Sequence, residues 1–361
     1  MRFSLKTFLV FFFKLLNFFI KKQKPPDAPR RILLLMCNWL GDTFWAMQVI
    51  PAIKKKYPEA EIFACCKSGS VHLLNGLIKP SNIIILQNVI SDRQREQFHF
   101  NSFLNELKTV SQQNFDLLID LTCNPFSAIF TLFSKAKLKR GGICNDFEFV
   151  YDAFTSNDQF KNQHLSKRPF IINDIEYPGK LFPPQISKKL AVNSDNYAVI
   201  MPGAGWGSKI IPDEVLIDLG NYIADKNLDI FICCAESEKD KFISLQDKIS
   251  NSKFFCGSFS EAIALTKECR FYIGGDTGLT HIAASWGTNT LSLYCSTNPQ
   301  YAAPLGDSVK LFQPSCPMQA SNDSEQCANT LFKPRCPRSE WMNFNLAEIK
   351  IAIDEFLHTE V

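Results

Sequence analysis

The stretch Arg270–Cys295, RFYIGGDTGLTHIAASWGTNTLSLYC, constrains this chain more than any other. Apolar Phe271–Ile273 reads as a buried strand, Gly274–Gly278 as a tight loop and Leu279–Trp286 as a helix, and Thr290–Tyr294 returns as a second strand. Gly278 lets the backbone approach a ligand closely, and the free N–H groups of the helix that follows form an anion site. Asp276 and Thr277 add side-chain oxygens at the same mouth, and His281 lies on the first helical turn. That combination suits a phosphorylated, polyhydroxylated ligand. An aspartic-protease reading of Asp276-Thr277-Gly278 needs two such motifs in β-rich lobes sharing a proton between carboxylates. One motif that enters a helix excludes it.

The same grammar runs along the rest of the chain. Arg31–Cys37 (RILLLMC) is a predicted buried strand, followed by the loop 38–43 and a helix through Ala46, Val49, Ile50 and Ile53 that ends in Lys54-Lys55-Lys56. This places Asn38, Gly41 and Asp42 at the carboxyl end of a strand, where open α/β sheets bind ligands. Asp42 is either an N-cap or a general base. Strands at 61–66, 83–86 and 115–121 alternate with helices at 71–77, 100–112 and 125–133, as in a doubly wound domain. Residues 135–175 are less regular, and 176–196, with Pro178, Pro183 and Pro184, reads as a linker. The pattern restarts with strand Tyr197–Met201 and the loop 202–209 (PGAGWGSK), whose Gly203 and Lys209 offer close phosphate approach and a cation. The usual Gly-Lys-Ser/Thr phosphate-loop spelling is absent. Helix 212–225, strand 229–234, an acidic helix start at Glu236 and Glu238, strand 253–255 and helix 260–268 lead to the opening stretch. The amphipathic helix 343–357 closes the chain.

At 361 residues the chain holds two domains: 30–175 and 197–342, with a C-terminal helical segment 343–361. The net charge is +3, yet residues 1–31 carry eight Lys/Arg against Asp27 alone, so the remainder is net negative. That excludes a nucleic-acid face spread over the protein. The 13 cysteines fall mostly in apolar strand runs, as small buried hydrophobes of a reducing compartment. Cys316, Cys327 and Cys336 have spacings that no common zinc module uses, so no metal site is expected. Residues 1–24 hold an apolar run from Phe8 to Ile20, too short to span a bilayer that takes about 20 residues. Val10, Lys14, Asn17 and Lys21 form one stripe and leave a wide apolar remainder. The expectation is an amphipathic helix in a membrane interface with its lysines toward anionic headgroups; the alternative is a helix packed on the protein's own surface. The Pro-rich segment 23–29 follows as a spacer.

Several stretches, in order, resemble the heptosyltransferases of glycosyltransferase family 9. They are Ile32–Asp42, Pro51–Glu61, Phe115–Leu121, Pro202–Pro212, Gly257–Leu265 and Gly274–Ala284, and they cover nearly the whole chain between residues 31 and about 306. The resemblance implies a GT-B fold of two Rossmann-like domains with the active site in the cleft between them. It further implies inverting, metal-independent transfer from a nucleotide sugar, typically ADP-heptose, without a cofactor. The acceptor would be the lipid A–Kdo or heptosyl inner core of lipopolysaccharide at the cytoplasmic face of the bacterial inner membrane.

Residue by residue, Asp42 of Leu-Gly-Asp matches the family's general base, on an acceptor side that includes Asn38 and Gly41. Lys209 matches the lysine that neutralises the leaving diphosphate, in the loop begun by Gly203. Asp276, Thr277, Gly278 and His281 match the Asp-Thr-Gly-x-x-His donor loop, in which Thr277 and the helix N-terminus hold phosphate and Asp276 binds sugar hydroxyls. Glu236 or Glu238 falls where the family holds the nucleotide's ribose or base. The family's Lys-x-Trp-Pro is here Lys209-Ile210-Ile211-Pro212, and a hydrophobic N-terminal helix is not usual for it. Alternatives from other classes are a GT-B enzyme acting on another nucleotide sugar, and a non-catalytic, membrane-attached nucleotide-sugar binder.

Overall fold

The computed structural model describes residues 5–19, 28–87, 99–142, 146–186, 196–205, 207–295, 297–314 and 343–358. Lys21, Trp206 and the loop carrying Cys316, Cys327 and Cys336 lie outside the described residues. The chain divides into two compact units, Met1–Pro178 and Gly179–Val361.

The first unit holds strands β1 (Arg31–Leu35), β2 (Glu61–Cys66), β3 (Ile83–Ile85), β4 (Leu117–Asp120), β5 (Leu138–Gly141) and β6 (Ala153–Phe154) in one sheet of order β3-β2-β1-β4-β5-β6. The second holds β7 (Tyr197–Met201), β8 (Asp229–Cys233), β9 (Ser252–Phe255), β10 (Phe271–Gly274), β11 (Thr290–Leu293) and β12 (Val309–Phe312) in the order β12-β11-β10-β7-β8-β9. Every strand pair is parallel. Parallel strands need both faces covered, which is why β1 and β7 are continuous apolar runs. Each sheet winds outward both ways from its first strand, so each has a topological switch point, at β1/β4 and at β7/β10. Ligands of open α/β sheets bind outside the carboxyl ends at such points.

The structure differs from the sequence expectation locally. The helix after β1 is two helices, Leu40–Met47 and Ile50–Lys56, the second with Pro51 in its first turn, where a missing N–H costs nothing. Residues 68–74 form a 3₁₀ turn in place of the expected 71–77 helix. Strands β5 and β6 lie in the stretch 135–175 read as less regular, and β12 was not anticipated; Lys139, Arg140 and Gly141 break the apolar run of β5, β6 is only two residues long, and Lys310 interrupts β12. The C-terminal helix Leu346–His358 buries Ile349, Ala352, Ile353 and Phe356 in the second unit's core.

The nine cysteines among the described residues are free thiols. Burial pushes Cys66, Cys233 and Cys234 up to about 12, which makes them poor nucleophiles at neutral pH.

The N-terminal helix Leu5–Phe19 turns its stripe in the opposite sense to the expectation. Val10 and Phe13 pack on a cluster with Ala128, Leu132, Phe147, Val150 and Tyr151 of the first unit. Asn17 Nδ2 donates to the Phe149 carbonyl at 3.0 Å, and Lys14 Nζ stands 5.7 Å from the Phe149 ring centroid. Phe11, Phe12, Leu15 and Phe18 are left pointing outward, from 45% exposed at Phe12 to 82% at Phe18. The helix does pack on its own domain, and it keeps an apolar outer face.

Candidate functional site

In the second unit the two loops at the switch point meet around one carboxylate. β10 ends at Gly274 beside Met201 of β7, which brings the loop 202–209 against 275–278. A Cβ on Gly275 would lie 3.1 Å from the Lys209 carbonyl oxygen and 3.5 Å from that of Leu293, so the two loops approach closely at a glycine and a side chain there would press on the Lys209 backbone. Asp276 is 9% exposed, and its oxygens are surrounded by donors. Lys209 Nζ pairs with Oδ2, Thr297 Oγ1 donates to Oδ2 at 2.7 Å, and His281 Nε2 faces Oδ1 at 3.4 Å. Burial alone would raise the Asp276 carboxyl; His281 and Lys209 outweigh it and hold the group well below the usual carboxylate range. The carboxylate therefore fixes Lys209 and His281, a role beyond the sugar binding expected for it.

The surrounding hydroxyls complete this hub. The Tyr294 hydroxyl donates to the Ala302 carbonyl and stands 3.4 Å from Asp276 Oδ1. With one proton, it spends it on the shorter contact. Thr280 Oγ1 donates to the Gly275 carbonyl at 2.6 Å and lies 3.1 Å from both the Thr277 and Tyr272 hydroxyls. Thr277 is the N-cap residue of the helix Gly278–Ser285, and its side chain makes no capping bond to that helix. The first-turn N–H groups of such a helix have no helical acceptor, and with Lys209 they present fixed positive charge. Sequence reasoning missed Tyr294 and Thr297, which lie outside the motif and meet Asp276 through strand pairing, and passed over Tyr272 and Thr280, which lie within the same strand–loop–helix stretch.

The two acidic candidates separate. A Cβ on Gly203 would lie 3.7 Å from Glu238 Oε2, so Glu238 stands beside the glycine loop. Glu236 is exposed, with Lys239 3.9 Å away. Ile211, at the place of the family's tryptophan, is 1% exposed and belongs to the core.

In the first unit the loops after β1 and β4 are tied together at the switch point. Cys37 N donates to Thr122 Oγ1 at 2.8 Å, and Asn38 Nδ2 to the Thr122 carbonyl at 3.2 Å. Buried Asp120 braces the second loop: Oδ1 accepts from Thr122 N and Cys123 N, both at 2.9 Å, and Oδ2 accepts from the Tyr151 hydroxyl at 2.7 Å. Asn38 thus serves the scaffold. Asp42 is not an N-cap, since Trp39 holds that position and Asp42 sits in the first turn. Asn38 and Asp42 line one cavity of about 230 Å³ with Trp45, Thr122, Phe160 and Arg168 among its other walls. Gly41 does not line it; it lies in the same helical turn as Asp42.

Two successive doubly wound units with strand order 3-2-1-4-5-6 define a GT-B architecture, and solved structures bear this out. A structure described as E. coli heptosyltransferase WaaC with ADP aligns over 90% of this chain and 99% of its own, with TM-score 0.69 and 16% identity. A glycosyl transferase of family 9 from Veillonella parvula aligns over 91% and 97%, with TM-score 0.71 and 14% identity. Among curated proteins, the lipopolysaccharide core heptosyltransferase OpsX of Haemophilus influenzae is 21% identical over 306 residues, covering 78% of this chain and 83% of its own. Lipooligosaccharide heptosyltransferase 2 of Haemophilus ducreyi is 22% identical over 308 residues, covering 76% and 86%.

The chain belongs to glycosyltransferase family 9 (heptosyltransferase), whose sequence profile matches residues 104–331. The protein is a glycosyltransferase. The matched span contains Lys209, Asp276 and His281 and begins after Asp42.

Proposed function

We propose that this enzyme transfers a heptose from ADP-heptose to a lipopolysaccharide inner-core acceptor, with inversion and without a metal ion. The observation that carries the reading is the Lys209 ammonium, held by buried Asp276 at the mouth of the Gly278–Ser285 helix. A fixed cation and free N–H groups at one mouth are what a departing diphosphate needs. Thr277 and Gly278 would receive the phosphates, and Glu238, beside Gly203, would take the ribose. Asp42 would accept the proton of the acceptor hydroxyl as it attacks the anomeric carbon in a single displacement.

Thermal melting with ADP, UDP, GDP and their sugars tests the donor. A ligand at 100 times its Kd stabilises the folded state by about 2.7 kcal/mol. A shift with ADP and ADP-heptose, together with transfer that survives a chelator, is the expected result. A shift confined to UDP or GDP compounds would replace heptose with another sugar, and no shift with any of them would sink the donor assignment.

On the same reading the enzyme works at the inner face of the inner membrane, where a lipid-linked acceptor lies. The outward face of Phe11, Phe12, Leu15 and Phe18 supports this, as does the excess of lysine and arginine in residues 1–31. Fully burying one such side chain is worth roughly 1.5–3 kcal/mol. Replacing Phe11 and Leu15 with serine should therefore cut binding to anionic vesicles at least about tenfold, with melting little changed because both side chains lie on the outward face. Equal binding by the variant would rule out this helix as the anchor.

A further inference from the structure

The cavity that holds Asp42 contains a second charged group that the transfer reaction has not yet used. Its walls come from the Asn38–Ala46 segment, from Leu121–Cys123 after β4, and from the stretch between Asn157 and Ile172. Arg168 stands in the last of these, at the start of the short helix Arg168–Ile172. It is an exposed residue whose guanidinium carbon lies 5.3 Å from the Phe160 ring centroid, so a stacked aromatic holds it over the cavity. Protein crowding lowers its pKa and the Asp42 carboxylate raises it; the guanidinium remains a cation. No ion pair to Arg168 forms among the described residues.

Lys67, half-buried with Nζ 5.0 Å from the Trp39 ring centroid, also feels the Asp42 charge. Lys67 is not one of the cavity's walls; among the lining residues Arg168 is the one cation, beside the carboxylate of Asp42. The opposite walls are apolar, from Trp45, Leu165 and Ile172. At about 230 Å³ the space is below the roughly 300–1,000 Å³ of pockets that enclose whole ligands. It therefore suits one ring or a single substituent group.

We propose that Arg168 is a specificity-determining residue that binds an anionic group of the acceptor, a carboxylate or a phosphate, and so places the neighbouring hydroxyl at Asp42. The proposal rests on the reading of Asp42 as the base. A planar guanidinium takes either anion through two parallel hydrogen bonds, which fixes the orientation of the sugar as well as its position. A lysine keeps the charge and loses the fork. Arg168 touches the acceptor's anion and none of the reacting atoms, so its loss weakens acceptor binding and leaves donor binding alone.

Binding of the lipid-free inner-core oligosaccharide, measured without donor, tests this independently of turnover. In the full chain, Arg168→Gln should raise the acceptor Kd about tenfold, as for loss of one partly solvated charge-assisted contact. Arg168→Lys should recover part of the loss, and the ADP-induced melting shift should stay at the wild-type value. Two modified acceptors identify the anion, one with its carboxylates esterified and one with its phosphates removed. The modification that no longer matters once Arg168 is Gln names the group that Arg168 holds. If Arg168→Gln binds intact acceptor as wild type does, or still discriminates fully against both modified acceptors, the proposal is overturned. Wild-type protein that binds no inner-core acceptor would sink the functional reading, and this proposal with it.

Discussion

Asp42→Asn is expected to lower kcat by about 10²- to 10⁴-fold while leaving the melting shift with ADP intact. The substitution keeps the shape of the side chain and removes only the capacity to take a proton. Asp42 caps no helix, because Trp39 is the N-cap and makes no side-chain capping bond. The loop that carries Asp42 is held by Cys37, Asn38 and Thr122, and Thr43 Oγ1 donates to the Met36 carbonyl at 3.2 Å; none of these bonds involves Asp42. Loss of a negative charge in the first helical turn costs about 0.3–1 kcal/mol, too little to unfold a domain. The donor loops belong to the other unit. A collapse of kcat with unchanged melting and unchanged ADP binding would thus isolate the chemistry. Full transferase activity in Asp42→Asn would move the base elsewhere, and a fall in acceptor affinity alone would reassign Asp42 to binding.

The parts of this molecule that were legible in its sequence are those in which local pattern and global fold agree. Buried parallel strands such as β1, β7 and β10 are uninterrupted apolar runs, and each is followed by a glycine-bearing loop and a helix, so element type and order could be read directly. Strands β5 and β12 could not, because at the outer part of a sheet Lys139, Arg140 and Lys310 are tolerated and the period disappears. The donor loop was legible for a chemical reason: Asp276, Thr277, Gly278 and His281 are contiguous. What Asp276 does was not legible. Thr297 and Tyr294 reach it across 21 and 18 residues of chain, and only the pairing of β10 with β11 brings them there. Arg168 was invisible for the same reason, since only the fold brings it, more than a hundred residues on, to the cavity that Asp42 lines. The N-terminal helix shows the limit of periodicity. Its stripe was plain, but a helical wheel does not say which side a protein surface will take. Asn17 resolved it by finding the Phe149 carbonyl.

Asp276→Asn should be the most destabilising single change in the second unit, by about 3–5 kcal/mol near neutral pH. The carboxylate is almost fully buried and answers Lys209, His281 and Thr297 at once. An amide of the same shape offers one acceptor oxygen and no charge, and leaves the Lys209 ammonium without its counterion. Lys209→Met should cost less, because Asp276 keeps His281 and Thr297 and the lysine is 21% exposed against 8% for the carboxylate. The pH dependence follows from the sign of the shift. Asp276 titrates well below its unfolded value of about 3.9, so the folded state holds fewer protons there. Its contribution is fully present above about pH 4–5 and is lost as the pH falls toward the folded value. Urea melts of wild type and Asp276→Asn should therefore differ most at neutral pH and converge below pH 4. A difference that stays constant down to pH 3 would show that the substitution acts through shape or hydrogen bonding, and that the charge of Asp276 does not hold the site together. Loss of the ADP shift in the same variant, with the first unit still folded, would link that carboxylate to the donor through the lysine it fixes.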